Sequence, residues 1–322
     1  MLIEQAFHNL PEILVGSGYA RQDYKQGFEA SIVAAFSLAI LQELNGRNAP
    51  NPISFLVAEK RYFELGDDTT TVAALNVGGV GVGDAVNADD ALDTKKDKLR
   101  ADLYVNLADL FSGSADYSDF GFRFSNWVEA KYWKDTSKNP PSTQNLGKIV
   151  ADLFRLVALV PHEPAKSGGT LTGRYFLHVY RGDPLRLINP NREDGSKRKW
   201  VAKLLESGEQ KIPSFDLAIE KAWPSFFDHL GVISDTATCS LKITNYKIVP
   251  PHKPKDDIYT LVLTRIDAAT FSLNGRTLKL TADRGFEFSG PGKFDDLRSD
   301  VAKALKQKIK KPKQAKADGL TT

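Results

Sequence analysis

The amino-acid sequence predicts an α/β fold in two parts. Residues 1–188 read as a core with the order helix, strand, strand, strand, helix, strand (αβββαβ), and residues 189–322 as a β-rich α+β extension ending in a basic tail at 306–322. Three observations carry this reading. An almost uninterrupted apolar helix opens the core, two short strands of alternating polar and apolar residues follow, and a striped helix leads into a further strand.

The first helix starts at a capping box, Asp23 with Gln26, and stops at Asn45-Gly46. Phe28, Ile32, Val33, Phe36, Ile40 and Leu44 give it a broad apolar face, with Ala and Ser filling most of the rest, so it is expected to be buried nearly all round. Glu29 lies near its start, on the side of Ile32, Val33 and Phe36. It reads either as a solvated acid favoured by the helix dipole or as a carboxylate turned toward a site. Ile53-Ser54-Phe55-Leu56-Val57, followed by Glu59-Lys60-Arg61, reads as a strand. Residues 65–98 are polar and glycine-rich; Gly78-Gly79-Val80-Gly81-Val82-Gly83 lacks the Lys-Ser/Thr of a P-loop and the dinucleotide spacing, and reads as a hairpin or surface loop.

Leu99-Arg100-Ala101-Asp102-Leu103-Tyr104-Val105 and Trp127-Val128-Glu129-Ala130-Lys131-Tyr132-Trp133 are the two alternating strands, joined by a Ser/Asp/Gly-rich stretch around 112–119. Asn139-Pro140-Pro141 breaks the chain, and Ser142 or Thr143 caps a helix. Leu146, Ile149, Val150, Leu153, Phe154, Val157 and Leu159 form its stripe, and Pro161 ends it. Arg174-Tyr175-Phe176-Leu177-His178-Val179-Tyr180 is a strand, turned at Gly182-Asp183-Pro184. Residues 189–211 read as a charged loop in which Arg192, Lys197, Arg198 and Lys199 either face solvent or touch phosphate. Then come a helix near 215–230, strands near 241–249, 258–266 and 277–280, and a last helix carrying Phe294, Leu297, Val301, Ala304 and Leu305. Lys308, Lys310, Lys311, Lys313 and Lys316 populate the tail.

Strand alternation puts Glu129 and Lys131 on one face and Val128, Ala130 and Tyr132 on the other. An acid and a base in an aromatic-flanked strand are costly to bury unless paired or bound. Acid-x-Lys recurs at Asp93-Thr94-Lys95 and Glu209-Gln210-Lys211, both in polar, turn-like surroundings. Only Glu129 combines the spacing with strand character and a preceding strand bearing a carboxylate, Asp102. A structural ion pair of Lys131 with Glu129 or Asp102 at a sheet edge is the alternative.

Composition narrows the rest. Net charge is +3, so nucleic-acid binding would need a local patch. The single Cys239 rules out an intramolecular disulfide and a Cys-rich zinc site, and fits a buried core thiol in a reducing cytoplasm. No secretory signal is expected at the N-terminus, and the apolar run 30–41 is too short to span a bilayer, so no membrane partner is expected. His8, His162, His178, His229 and His252 show no metal-ligand spacing, and no nucleophile elbow is present.

Two carboxylates and a lysine on successive strands, in this order of elements, resemble the PD-(D/E)XK nuclease superfamily, the fold of many restriction endonucleases. The resemblance covers about residues 23–182. It implies a Mg²⁺-dependent (or Mn²⁺-dependent) DNA endonuclease, most simply a sequence-specific type II restriction enzyme leaving 5′-phosphate ends. Asp102, Glu129 and the Ala130 carbonyl would hold the metal, Lys131 would act on the attacking water or the transition state, and Glu29 would be a third acid. Gln144 and Lys148 could face the same cleft or simply the surface. Double-stranded DNA is the expected partner, read by the C-terminal region, and a homodimer the expected assembly. A less specific defence or repair nuclease, or a silent DNA-binding protein of this fold, are the alternatives.

Overall fold

The computed structural model describes residues 1–16, 28–63, 99–107, 110, 125–134, 142–161, 172–188, 199–212, 237–251, 258–281 and 286–306. Among them the helices are α1 (Leu2–Gly16), α2 (Phe28–Gly46), α3 (Ser142–Ala158), α4 (Pro184–Ile188), α5 (Lys199–Lys203) and α6 (Phe294–Lys306). The strands are β1 (Leu56–Arg61), β2 (Arg100–Asn106), β3 (Ser125–Lys134), β4 (Thr172–Arg181), β5 (Gly208–Ile212), β6 (Thr238–Ile248), β7 (Tyr259–Leu273), β8 (Arg276–Leu280) and β9 (Phe286–Ser289).

The fold is mixed α/β. One sheet of nine strands runs β1-β2-β3-β4-β7-β6-β5, with β8 beside β7 and β9 beside β8. It is mostly antiparallel; β3 and β4 run parallel, since α3 carries the chain back between them. Strands from both sides of residue 188 share this sheet, because β7 pairs with β4 from Tyr175↔Arg265 to Arg181↔Tyr259.

Helices cover both faces and divide the core into two layers. On one face α3 and α6 pack over Trp127, Trp133, Phe176 and Tyr180. On the other, α1 and α2 pack over Val128, Ala130, Tyr175, Leu177 and Val179. The alternation of β3 therefore sorts its side chains between two buried layers. No described helix is long and apolar enough to cross a membrane.

Several expectations need correction. Residues 53–55 are not strand: Pro52–Phe55 form a 3₁₀ turn, and the strand starts at Leu56 and takes in Glu59-Lys60-Arg61. Proline at the start of that turn lacks the N–H a ladder needs. Helix α1 was unexpected. Leu2, Ile3, Ala6, Phe7, Leu10 and Leu14 give it a buried helical stripe that continues past Pro11. Helix α2 buries one side only, and Leu38 is exposed. Of the expected loop 189–211, residues 189–198 lie outside the described residues, and the rest contains α5 and most of β5, so Glu209-Gln210-Lys211 is strand, though Glu209 and Lys211 are exposed. The turn at 182–184 opens α4, whose start is capped by Asp183 accepting the Leu185 N–H at 3.0 Å. Strand β9 was also missed. The glycine run 78–83, Asp93-Thr94-Lys95, the helix near 215–230 and the tail lysines lie outside the described residues.

Candidate active site

The sheet comes apart where the acids are. Strand β3 pairs with β4 along its whole length, from Ser125↔Thr172 to Lys134↔Arg181. Its pairing with β2 stops at Leu103↔Val128. Beyond that point the Ala130 N–H has lost its strand partner and donates instead to Asp102 Oδ2 at 2.6 Å. N–H and C=O of one strand residue face the same edge, so the Ala130 carbonyl also turns into the gap, where it accepts from Lys131 Nζ at 2.8 Å. The ladder from β1 to β2 is broken at the same level. It skips Glu59, whose φ of 53° is left-handed and strained for a side-chain-bearing residue.

Lys131 sits at the centre of this notch. Its ammonium also donates to Glu29 Oε1 at 2.8 Å, and it lies 3.9 Å from Asp102 Oδ2 and 3.5 Å from Asp152 Oδ2. Glu129 is buried and accepts a hydrogen bond from Tyr62 Oη at 2.6 Å. Tyr62 in turn stacks on Trp127, with ring centroids 5.3 Å apart. The Glu129 and Asp102 carboxyls lie near enough to act on each other's ionisation. Asp152, on α3, is bonded to Arg155 one turn further along.

All five residues picked from sequence thus meet in one place, and Glu29, half-exposed, is drawn into it by Lys131. Sequence reasoning missed Asp152, Arg155 and Tyr62. Asp152 left a trace, a lone carboxylate among apolar neighbours between Ile149 and Val157; Tyr62 left none. Gln144 and Lys148 are half-buried on α3.

Burial dominates the electrostatics. It pushes the Asp102, Glu129 and Glu29 carboxyls up from their ordinary range; Lys131 opposes this at all three, foremost among the charges at Asp102 and Glu29, while Asp152 adds to it at Glu129. Burial and the Glu129 charge push the Tyr62 hydroxyl up. For Lys131 burial alone would lower the pKa, but the carboxylates of Asp152, Asp102, Glu29 and Glu129 together outweigh it and hold the ammonium charged. The Arg155 guanidinium is held charged in the same way by Asp152 and Glu129.

Among the described residues no three His, Cys, Asp or Glu side chains form a ready metal cage. The donor set nevertheless suits a hard cation. Mg²⁺ takes only one or two carboxylates and keeps its waters, and Asp102 and Glu129 are two neighbouring carboxyls that act on each other's ionisation. Four acids, Glu29, Asp102, Glu129 and Asp152, surround two cations, Lys131 and Arg155. Such an excess is held together either by protons or by a metal ion. The Ala130 carbonyl fits less well as a ligand, because Lys131 already occupies one of its lone pairs.

Comparison of the chain with protein-family models, with curated proteins and with solved structures finds no match.

Proposed function

We propose that the chain is a divalent-metal-dependent DNA endonuclease of the PD-(D/E)XK type, most simply a sequence-specific restriction enzyme that leaves 5′-phosphate ends. The observation that carries this reading is the notch between β2 and β3, where the Asp102 and Glu129 carboxyls lie near each other and the Lys131 ammonium stands 3.9 Å from Asp102. The order α2, β1, β2, β3, α3, β4 supports it as well. A structural ion pair is the weaker reading, because such a pair does not call for four carboxyls around two cations or for β2 and β3 to part at Asp102.

Asp102 and Glu129 would hold Mg²⁺ or Mn²⁺, which acidifies water and neutralises charge on the phosphodiester. Tyr62 fixes Glu129 by its hydrogen bond, and the Ala130 N–H fixes Asp102. Lys131, held charged by the surrounding carboxylates, is suited to stabilise the developing negative charge or to orient the attacking water as a donor. Glu29 steadies Lys131 from the opposite side of the notch. Double-stranded DNA is the substrate, and a two-fold homodimer would match a palindromic site.

The test is incubation of the protein with unmethylated phage DNA, with Mg²⁺, Ca²⁺ or EDTA, followed by sequencing of the ends. Cleavage is expected with Mg²⁺ only, with Ca²⁺ supporting binding without cutting. Asp102→Ala, Glu129→Ala and Lys131→Ala should each remove about 3 kcal/mol or more of transition-state stabilisation, over a hundredfold in rate. The exposed Glu209→Ala, in the second acid-x-Lys tripeptide, should cut normally. Full activity in EDTA, or in folded Glu129→Ala, would end the proposal.

A further inference from the structure

We propose that Asp152 is the positioning residue of this site: from α3, braced by Arg155, it holds the Lys131 ammonium in the notch with one N–H left over for the phosphodiester or its attacking water. This rests on the nuclease reading above.

An ammonium has three N–H donors. Two are taken at 2.8 Å, by Glu29 Oε1 and by the Ala130 carbonyl. Asp152 Oδ2 at 3.5 Å and Asp102 Oδ2 at 3.9 Å stand at ion-pair distance, beyond good hydrogen bonds, so they attract the charge without consuming the third donor. The attractions differ in quality. The Glu29 side chain is 44% exposed and its pull is screened by water, whereas that of Asp152 is 2% exposed and acts through a low-dielectric interior.

Asp152 is also an expensive residue to keep. Its Oδ2 carries no hydrogen bond although it is buried, and only Oδ1 is satisfied, by Arg155. A buried carboxylate oxygen with no donor is uncommon and calls for an explanation. Its aim at Lys131 supplies one. Arg155 balances the charge so that α3 can carry an acid into an otherwise apolar layer containing Ile149, Leu153, Leu156 and Val157. The sum of the charges around Lys131 agrees, with Asp152 the strongest attraction upon it.

The experiment compares wild type, Asp152→Asn, Asp152→Glu, Lys131→Ala and Asp152→Asn/Lys131→Ala. Two readouts are used: acetylation of Lys131 by acetic anhydride in metal-free protein, followed by peptide mass spectrometry, and cleavage turnover with Mg²⁺. Asp152→Asn should raise Lys131 acetylation and lower turnover by about 10- to 100-fold, the range for loss of a group that orients another, with Ca²⁺-supported DNA binding unchanged. Asp152→Glu should regain part of the turnover, and Asp152→Asn should add nothing to Lys131→Ala. If Asp152→Asn does not fold, Asp152→Asn/Arg155→Gln, which leaves neither charge alone, takes its place. Wild-type Lys131 reactivity in the folded variant, or a loss that adds to that of Lys131→Ala, would overturn the proposal. Glu129→Ala separates the two readings: if it is inactive while Asp152→Asn cuts normally, only the positioning role fails. If both cut normally, the notch is not the site of cleavage and the reading on which this proposal rests fails.

Discussion

Tyr62 shows how much of the site depends on a single buried hydroxyl. Tyr62→Phe keeps the stacking on Trp127 but leaves Glu129 Oε1 without its donor, at a cost of about 1–3 kcal/mol for a buried acceptor. The loss should appear as a lower urea midpoint with unchanged slope, accompanied by weaker cleavage. His178 makes a prediction about pH. Asn245 donates to two carbonyls, so its oxygen accepts from Thr264, Thr264 accepts from His178 Nε2, and Tyr180 donates to Nδ1. Burial lowers the pKa of the imidazole to about 3, so the ring is neutral and its Nδ1 is left to accept from Tyr180. The unfolded chain takes up a proton near pH 6.5 that the native state refuses, so this group's contribution to stability is lost as pH falls from about 6.5 to about 3. The raised carboxyls of the notch act in the opposite sense, favouring the fold as pH falls. Denaturation midpoints across this window for wild type and His178→Asn isolate the histidine; equal slopes in the two proteins would refute it.

At the level of elements, β2, β3, α3 and β4 were legible because period-2 and period-3.6 patterns survive wherever one side of an element packs. The acids and Lys131 were legible for the same reason, as charges inside patterned strands. Helix α1 was obscured by Pro11, although its stripe was present. Strand β5 was hidden by charge: at the sheet edge Glu209 pairs with Lys242 and solvent takes the rest, so no apolar alternation marks it. The opening of the sheet at Asp102 had no local signal at all, since strand pairing is a non-local property. Arg298 of α6 is another long-range tie. It donates to the carbonyls of Leu159, at 3.0 Å, and of Tyr62, and lies over the Phe63 ring. Arg298→Gln should cost about 1–3 kcal/mol for each carbonyl left bare. Because one of these belongs to Tyr62, cleavage should fall as well; a thermal melt and a turnover assay check the two effects separately.

For the whole molecule, the shared sheet sets what can be separated. Cutting the chain after 188 would strip β7 from β4, leaving Phe176, Leu177 and Val179 on an open sheet edge and His178 without Thr264. A long apolar edge of this kind invites association with other chains. The fragment 1–188 is therefore expected to aggregate and to show no cooperative melt by circular dichroism. A monomeric fragment with a sharp transition would establish an independent N-terminal domain.

The handover of the Ala130 amide from a neighbouring strand to the Asp102 carboxylate gives the protein a built-in spectroscopic reporter. A proton shared with a carboxylate resonates according to that carboxylate's charge, so the Ala130 ¹H–¹⁵N peak should move when Asp102 is protonated or when a cation takes hold of it. Occupancy of the notch can then be followed by titration in a variant that cuts nothing, such as Lys131→Ala, with no DNA in the tube.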